Sequence, residues 1–149
     1  MNVGFTVVDN CKIIFDQIKN GKMFRYVIYY IRNETAVEVE KTGERNASYD
    51  DFLKDLMVEN GGEKECRYGV FDFQYTHHWQ GTSETVLEKL ILVGWCPGEA
   101  RPKEKMLYAS ALDALKRFLG NHFQYIQATD YREASYETVE AKLNSMVRS

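Results

Sequence analysis

The stretch Trp95-Cys96-Pro97-Gly98-Glu99-Ala100-Arg101-Pro102-Lys103-Glu104-Lys105-Met106-Leu107-Tyr108-Ala109-Ser110-Ala111-Leu112-Asp113-Ala114-Leu115-Lys116-Arg117-Phe118-Leu119 decides the architecture. An apolar strand runs into a Pro/Gly turn, and a helix of about five turns follows. On a wheel of 100° per residue, Leu107, Ala111, Ala114, Leu115 and Phe118 form a core stripe with Tyr108 and Leu119 at its edge. Lys105, Met106, Ala109, Leu112, Asp113, Lys116 and Arg117 fall on or near the other side. An exposed Met and Leu ringed by cations resemble the centre and rim of an interface, and Met suits an adaptable one. The helix therefore reads as a docking surface carried on an α/β unit.

Upstream of this unit, Leu87 to Trp95 is nearly continuous in apolar residues after Lys89, which predicts a central strand. Cys66 to Tyr75 predicts its neighbour. Arg25 to Ile31 is rich in β-branched and aromatic residues, and Ala36 to Thr42 alternates apolar with polar, so each predicts a strand. Arg32-Asn33-Glu34-Thr35 joins them as a hairpin turn. Helices are expected behind Asp9 (Cys11, Ile14, Phe15, Ile18) and behind Ser48 or Asp50 (Phe52, Leu53, Leu56, Met57), the second stopped by Asn60-Gly61-Gly62. A short strand near Tyr125-Ile126-Gln127 and a last helix capped by Ser135 (Val139, Leu143) complete a single α/β domain over residues 1–149, a central mixed β-sheet flanked by helices on both faces.

Composition narrows the function. The 149 residues fit one core, and their formal net charge of −3 confines any basic site to a local patch, which gives no general case for nucleic acid. No apolar run approaches the roughly 20 residues that span a bilayer. The N-terminus lacks a secretory pattern, and Gly4 is not placed for myristoylation. Pro occurs only at positions 97 and 102, so no Pro-rich linker is expected. Cys11, Cys66 and Cys96 cannot all pair within one chain and read as reduced, buried structural thiols. His77 and His78 are adjacent on a strand and so point to opposite faces, an unfavourable arrangement for one metal ion. Cys66 and Cys96, read as lying inside apolar strands, lack the setting of a reactive thiol. Gly61-Gly62 opens no helix and cradles no phosphate. His122 reads as a surface histidine. The chain is therefore expected to be a non-enzyme with no cofactor and no metal.

Six motifs carry a family resemblance: Arg25-Tyr26-Val27-Ile28-Tyr29, Cys66-Arg67-Tyr68-Gly69-Val70-Phe71-Asp72-Phe73, Trp95-Cys96-Pro97, Lys105-Met106-Leu107-Tyr108-Ala109-Ser110, Asp113-Ala114-Leu115-Lys116 and Ile126-Gln127-Ala128-Thr129-Asp130. In this order, covering almost the whole chain, they resemble the actin-depolymerising factor (ADF)/cofilin family, more closely than the related coactosins or glia maturation factors. The resemblance implies the ADF-homology fold and a monomeric cytoplasmic, cytoskeletal protein. It implies binding to actin monomers and filaments, preferably in the ADP form, with filament severing and depolymerisation. Carried over by motif, the surface for both actin forms comprises Val3, Gly4, Phe5, Thr6, Lys103, Lys105, Met106, Leu112, Asp113, Lys116 and Arg117. A filament-specific surface comprises Lys89, Lys142 and Arg148. Phosphoinositide headgroups would take Lys103, Lys105, Lys116 and Arg117 in competition with actin.

The chain departs from the family in three respects. Val3 stands where a phosphorylatable Ser is usual, so an N-terminal phosphate switch is in doubt. Leu87, Ala141 and Ser145 stand where the filament surface usually carries charge, so weaker filament binding is expected. The basic nuclear-import cluster of some relatives is missing, which leaves nuclear entry open. The tyrosine matching Tyr68 is modified in some relatives. Two rival readings share the basic helix: a phosphoinositide-responsive membrane-surface adaptor, and a relative that binds the branched-filament nucleating complex.

Overall fold

In the computed structural model, which describes residues 4–81 and 83–147, thirteen elements follow one another: β1 (Thr6–Val7), α1 (Asp9–Lys19), β2 (Phe24–Arg32), β3 (Ala36–Glu44), α2 (Tyr49–Leu56), β4 (Glu59–Asn60), β5 (Glu63–Lys64), β6 (Arg67–His78), β7 (Glu84–Trp95), α3 (Pro102–Leu119), β8 (Gln124–Ala128), α4 (Tyr131–Ala134) and α5 (Tyr136–Ser145). Six strands form a mixed sheet in the order β1-β3-β2-β6-β7-β8. The outer pairs β1/β3 and β7/β8 are parallel, and the pairs between them are antiparallel.

The period of two along β6 and β7 sorts the core into two layers. Phe71, Phe73, Ile91 and Val93 face α2, α4 and α5. Tyr68, Val70, Leu90 and Leu92 face α1 and α3. Both faces are therefore covered, and β7 reads apolar because it is buried on both. Gly69 on β6 lets α2 approach closely: a Cβ there would stand 2.6 Å from the Phe52 ring. Asn33 and Glu34, at φ 52° and 61°, make the β2–β3 turn, matching the mirror-image turns that suit right-twisted hairpins.

Several boundaries differ from the sequence reading. The residue preceding α1 is Val8, not Asp9, and makes no side-chain cap; Asp9 sits in the first turn, where its charge favours the helix dipole. Ser48 does cap α2, in a reciprocal capping box with Asp51. Asn60-Gly61-Gly62 does not stop α2, which ends at Leu56; Gly61 and Gly62, at φ 58° and 85°, instead turn the β4–β5 hairpin. The four-residue α4 has no counterpart in the periodicity, being too short to show one.

One charge cluster fixes the far side of the sheet. The Asp72 carboxylate, 2% exposed, accepts from Lys22 at 3.1 Å and from Arg45 at 2.5 Å. Arg25 donates to the Asp72 carbonyl at 2.7 Å and lies over the Phe71 ring. A carboxylate so deep in a strand needs this pairing to offset its desolvation.

Candidate functional site

α3 lies on the α1 side of the sheet. Arg101 precedes its first turn, Pro102 opens it and Gly120 follows it at φ 100°, the expected asymmetry of Pro at the start and Gly at the end. Tyr108, Ala111, Leu115 and Leu119 are its buried residues. This centre is rotated from the stripe expected of the sequence: Tyr108 and Leu119 sit in the middle, while Leu107, Ala114 and Phe118 are only half-buried. Leu112 is likewise half-buried, packing against the core beside Tyr68, Cys96 and Tyr125. The expectation that Leu112 is fully exposed is thus corrected. At 40° from Tyr108 on the wheel, it belongs to the seat of the helix.

Polar anchors hold α3 to the sheet. The Tyr68 hydroxyl donates to the Tyr108 carbonyl. The Ile31 amide donates to the Tyr108 hydroxyl at 3.0 Å, and the Cys66 amide donates to Glu104 Oε1 at 2.7 Å. Lys12 of α1 donates to the Leu119 carbonyl at 3.1 Å. Burial pushes the Tyr108 hydroxyl up to about 12, against the opposing pull of the Ile31 amide. Burial also raises Tyr68 well above the ordinary tyrosine range. Tyr68 is 2% exposed, so it is not presented for modification, contrary to the expectation from relatives.

The outward face carries Met106, Ser110, Asp113 and Arg117, all exposed and spaced i, i+4, i+7 and i+11 along one line. Met106 is 69% exposed. Ser110 was not singled out from the sequence, although its helical spacing places it in this row. The lysines flank the row rather than join it. Lys105, half-buried, donates to the Gly98 carbonyl at 2.7 Å. Lys116 lies 4.0 Å from the centre of the Tyr125 ring. Lys103 pairs with Glu34 at 2.9 Å, both exposed, a pairing weak enough for a partner to displace.

Lys105 and Lys116 flank one side of the row and stand roughly 16 Å apart along the axis; Lys103 and Arg117 are roughly 21 Å apart. The four cations therefore do not converge on one small anion.

Beside the helix, Gly4 and Thr6 are exposed and Phe5 packs partly into the core. The Thr6 amide donates to the Thr35 carbonyl at 3.0 Å, and β1 lies against α3. Val3 and Arg148, named with this surface and the filament surface, lie outside the described residues.

Lys89 and Lys142 are exposed. Lys89 shares its sheet face with Leu87 and Ile91, the face that α5 covers. Leu87 packs partly into that core, so its lack of charge serves packing. Ala141 and Ser145 are exposed on α5. His77 Nδ1 meets Asn144 Oδ1 of α5 at 2.8 Å, whereas His78 lies on the surface 3.1 Å from Glu84. His122 is exposed. Cys66 and Cys96 do not lie inside strands: Cys66 immediately precedes β6 and Cys96 immediately follows β7, with their sulfurs 3.3 Å apart.

The family model of cofilin/tropomyosin-type actin-binding proteins matches residues 4–144. The chain belongs to the cofilin/ADF family. Among the family's curated proteins, actin-depolymerizing factor 2, isoform c, of Caenorhabditis elegans is 39% identical, over 99% of both chains. The cofilin of Mycosarcoma maydis is 35% identical over 97% of both. The crystal structure of Streptomyces griseoflavus cofilin superposes with a TM-score of 0.78 at 38% identity, covering 93% of this chain and 98% of that one. Human coactosin-like protein reaches a TM-score of 0.74 at 11% identity, a likeness of fold alone. The cofilin/ADF fold thus presents here the Met106–Arg117 row on a helix pinned at both ends.

Proposed function

We propose that this protein binds actin monomers and filaments through the outward face of α3 with β1 alongside, and that it severs and depolymerises filaments. The observation that supports this reading is the row Met106, Ser110, Asp113 and Arg117, an exposed apolar residue followed by polar and charged ones on a firmly seated helix, in a chain matched by an actin-binding family model. Met106 supplies contact area that is desolvated on docking. Lys103, Lys105, Lys116 and Arg117 steer encounter with an acidic partner and set register. Severing needs no covalent step. Binding energy that is larger for a twisted filament, in its ADP form, shifts the filament toward that form, and boundaries between twisted and untwisted segments break. The protein acts in the cytoplasm on the actin cytoskeleton. Phosphoinositide headgroups compete for the same cations, in contacts spread along α3 rather than gathered on one headgroup.

High-speed co-sedimentation with filamentous actin tests this reading, with Lys103→Ala/Lys105→Ala as control. Co-pelleting plus a rise in supernatant actin, both lost in the double variant, is the expected result. No change in either fraction rejects the proposal, and liposome binding without actin binding would favour a membrane-surface adaptor.

Lys89 and Lys142 form a second surface used only on filaments, weaker than usual because Leu87, Ala141 and Ser145 add no charge. Lys89→Ala/Lys142→Ala is expected to lower filament affinity by about tenfold, as for two rim charges at roughly 0.7 kcal/mol each, while monomer affinity stays within about twofold. Fluorescence titration of both actin forms reads this, and an equal loss in the two would sink the two-surface assignment.

A further inference from the structure

Cys66 and Cys96 sit at the adjoining ends of the antiparallel pair β6/β7. Extending the register Arg67↔Trp95 by one step makes them direct cross-strand partners. Neither spends its amide on the other. Cys66 N–H goes to Glu104 Oε1, and Cys96 N–H goes to the Ala128 carbonyl at 2.9 Å. The side chains are thus free to meet, and the sulfurs do so at 3.3 Å, both as thiols. Directly opposed, unladdered strand positions bring Cβ atoms within the span that a disulfide bridges. Cys96 is partly exposed and Cys66 fully buried, so a reagent from solvent reaches the pair through Cys96.

We propose that Cys66 and Cys96 are a reversible disulfide site, closed by exchange with a low-molecular-weight disulfide such as oxidised glutathione. The Cys96 thiolate attacks one glutathione sulfur, forming a mixed disulfide and releasing one glutathione thiolate. Cys66 then gives its proton to water and attacks Cys96 Sγ, expelling the second glutathione. Two protein thiols lose two electrons and two protons, and one glutathione disulfide becomes two thiols. Burial raises the Cys66 thiol well above its ordinary value while the Lys105 ammonium opposes that rise, so the second step is the slow one. Cys11 is set apart: it is fully buried under α1, donates to the Val37 carbonyl at 3.4 Å, and burial raises it to about 12.

The site is coupled to α3. The two residues that follow Cys96 lead to Gly98, whose carbonyl holds Lys105, and the residue before Arg67 holds Glu104. Closing the bridge draws both ends together and moves the Lys105 anchor. This coupling, which rests on the actin reading, predicts a several-fold weaker affinity of the oxidised form for actin monomers.

The test equilibrates the full chain in graded mixtures of reduced and oxidised glutathione, quenches with an alkylating reagent, and reads mass and linked peptides. Wild type and Cys11→Ser are expected to lose two thiols together, with a Cys66–Cys96 peptide and a mass that shows two fewer alkyl groups than the reduced, alkylated protein. Cys66→Ser is expected to stop at one glutathione adduct on Cys96. Retention of three alkylatable thiols throughout, a bridge to Cys11, or a covalent dimer would overturn the site. The reduced and oxidised pools are then titrated against actin monomers. Binding by the reduced form with equal affinity for the oxidised form overturns only the coupling. No binding by the reduced form rejects the actin reading and leaves the thiol result standing.

Discussion

Met106→Glu is expected to raise the Kd for actin monomers by about 100-fold, or about 2.7 kcal/mol, with no loss of fold. Met106 is 69% exposed and touches nothing in the two core layers. Glutamate is as good a helix former as methionine, so Tm should move by less than about 2 °C. The effect is therefore carried by the interface. A carboxylate at the N-terminal end of the row loses the apolar contact and must be buried against an acidic partner without a counter-charge. Arg117→Ala, at the rim, should cost less and mainly slow association in a salt-dependent way. Isothermal titration with a thermal melt of the same sample decides the matter. An unchanged Kd would move the docking surface off α3.

Leu115→Ala is expected to lower stability by about 3 kcal/mol and Tm by roughly 10 °C. Leu115 is fully buried at the centre of the α3 seat, between Ala111 and Leu119. The core layer that holds it includes Val70, Leu90 and Leu92 of the sheet, which are fixed by strand pairing, so the site collapses only partly and a cavity remains. Affinity for actin, measured well below the melt, should stay within about threefold. Tyr68, Ile31 and Cys66 still pin the N-terminal half of the helix, which carries Met106. A large loss of affinity with an unchanged Tm would place Leu115 at the interface and reverse the assignment of the two faces of α3.

The sequence exposes the long elements well. β2, β6, β7 and α3 announce themselves through β-branched runs, apolar continuity and the Pro-to-Gly frame of the helix. The rotation of α3 escapes a wheel because Leu107, Ala114 and Phe118 pull the centre of the apolar stripe away from Tyr108 and Leu119, which then fall at its edge. In the fold the Tyr108 hydroxyl accepts from the Ile31 amide, which permits full burial, and Leu112 is carried inward with it. The Cys66–Cys96 meeting escapes because it depends on the register of β6 against β7, which no local spacing encodes. The outer row is legible as residues, since Met106, Asp113 and Arg117 fall on one helical line. The partners of the lysines are not, because Gly98, Glu34 and Tyr125 come from other parts of the chain.

The polar pegs along α3 have a mechanical meaning. In the docking proposed above, a partner that is deformed would push back, and that load would enter through Met106 and Arg117. A helix seated by apolar contacts alone can slide along its axis at little cost, since one side chain replaces another in the same groove. Here the Tyr68 and Ile31 bonds to Tyr108, the Cys66 bond to Glu104 and the Lys12 bond to Leu119 must all break before the helix slips. The load passes instead into β6 and β2 at the middle of the sheet, so the protein resists as a stiff lever and the strain is left in its partner.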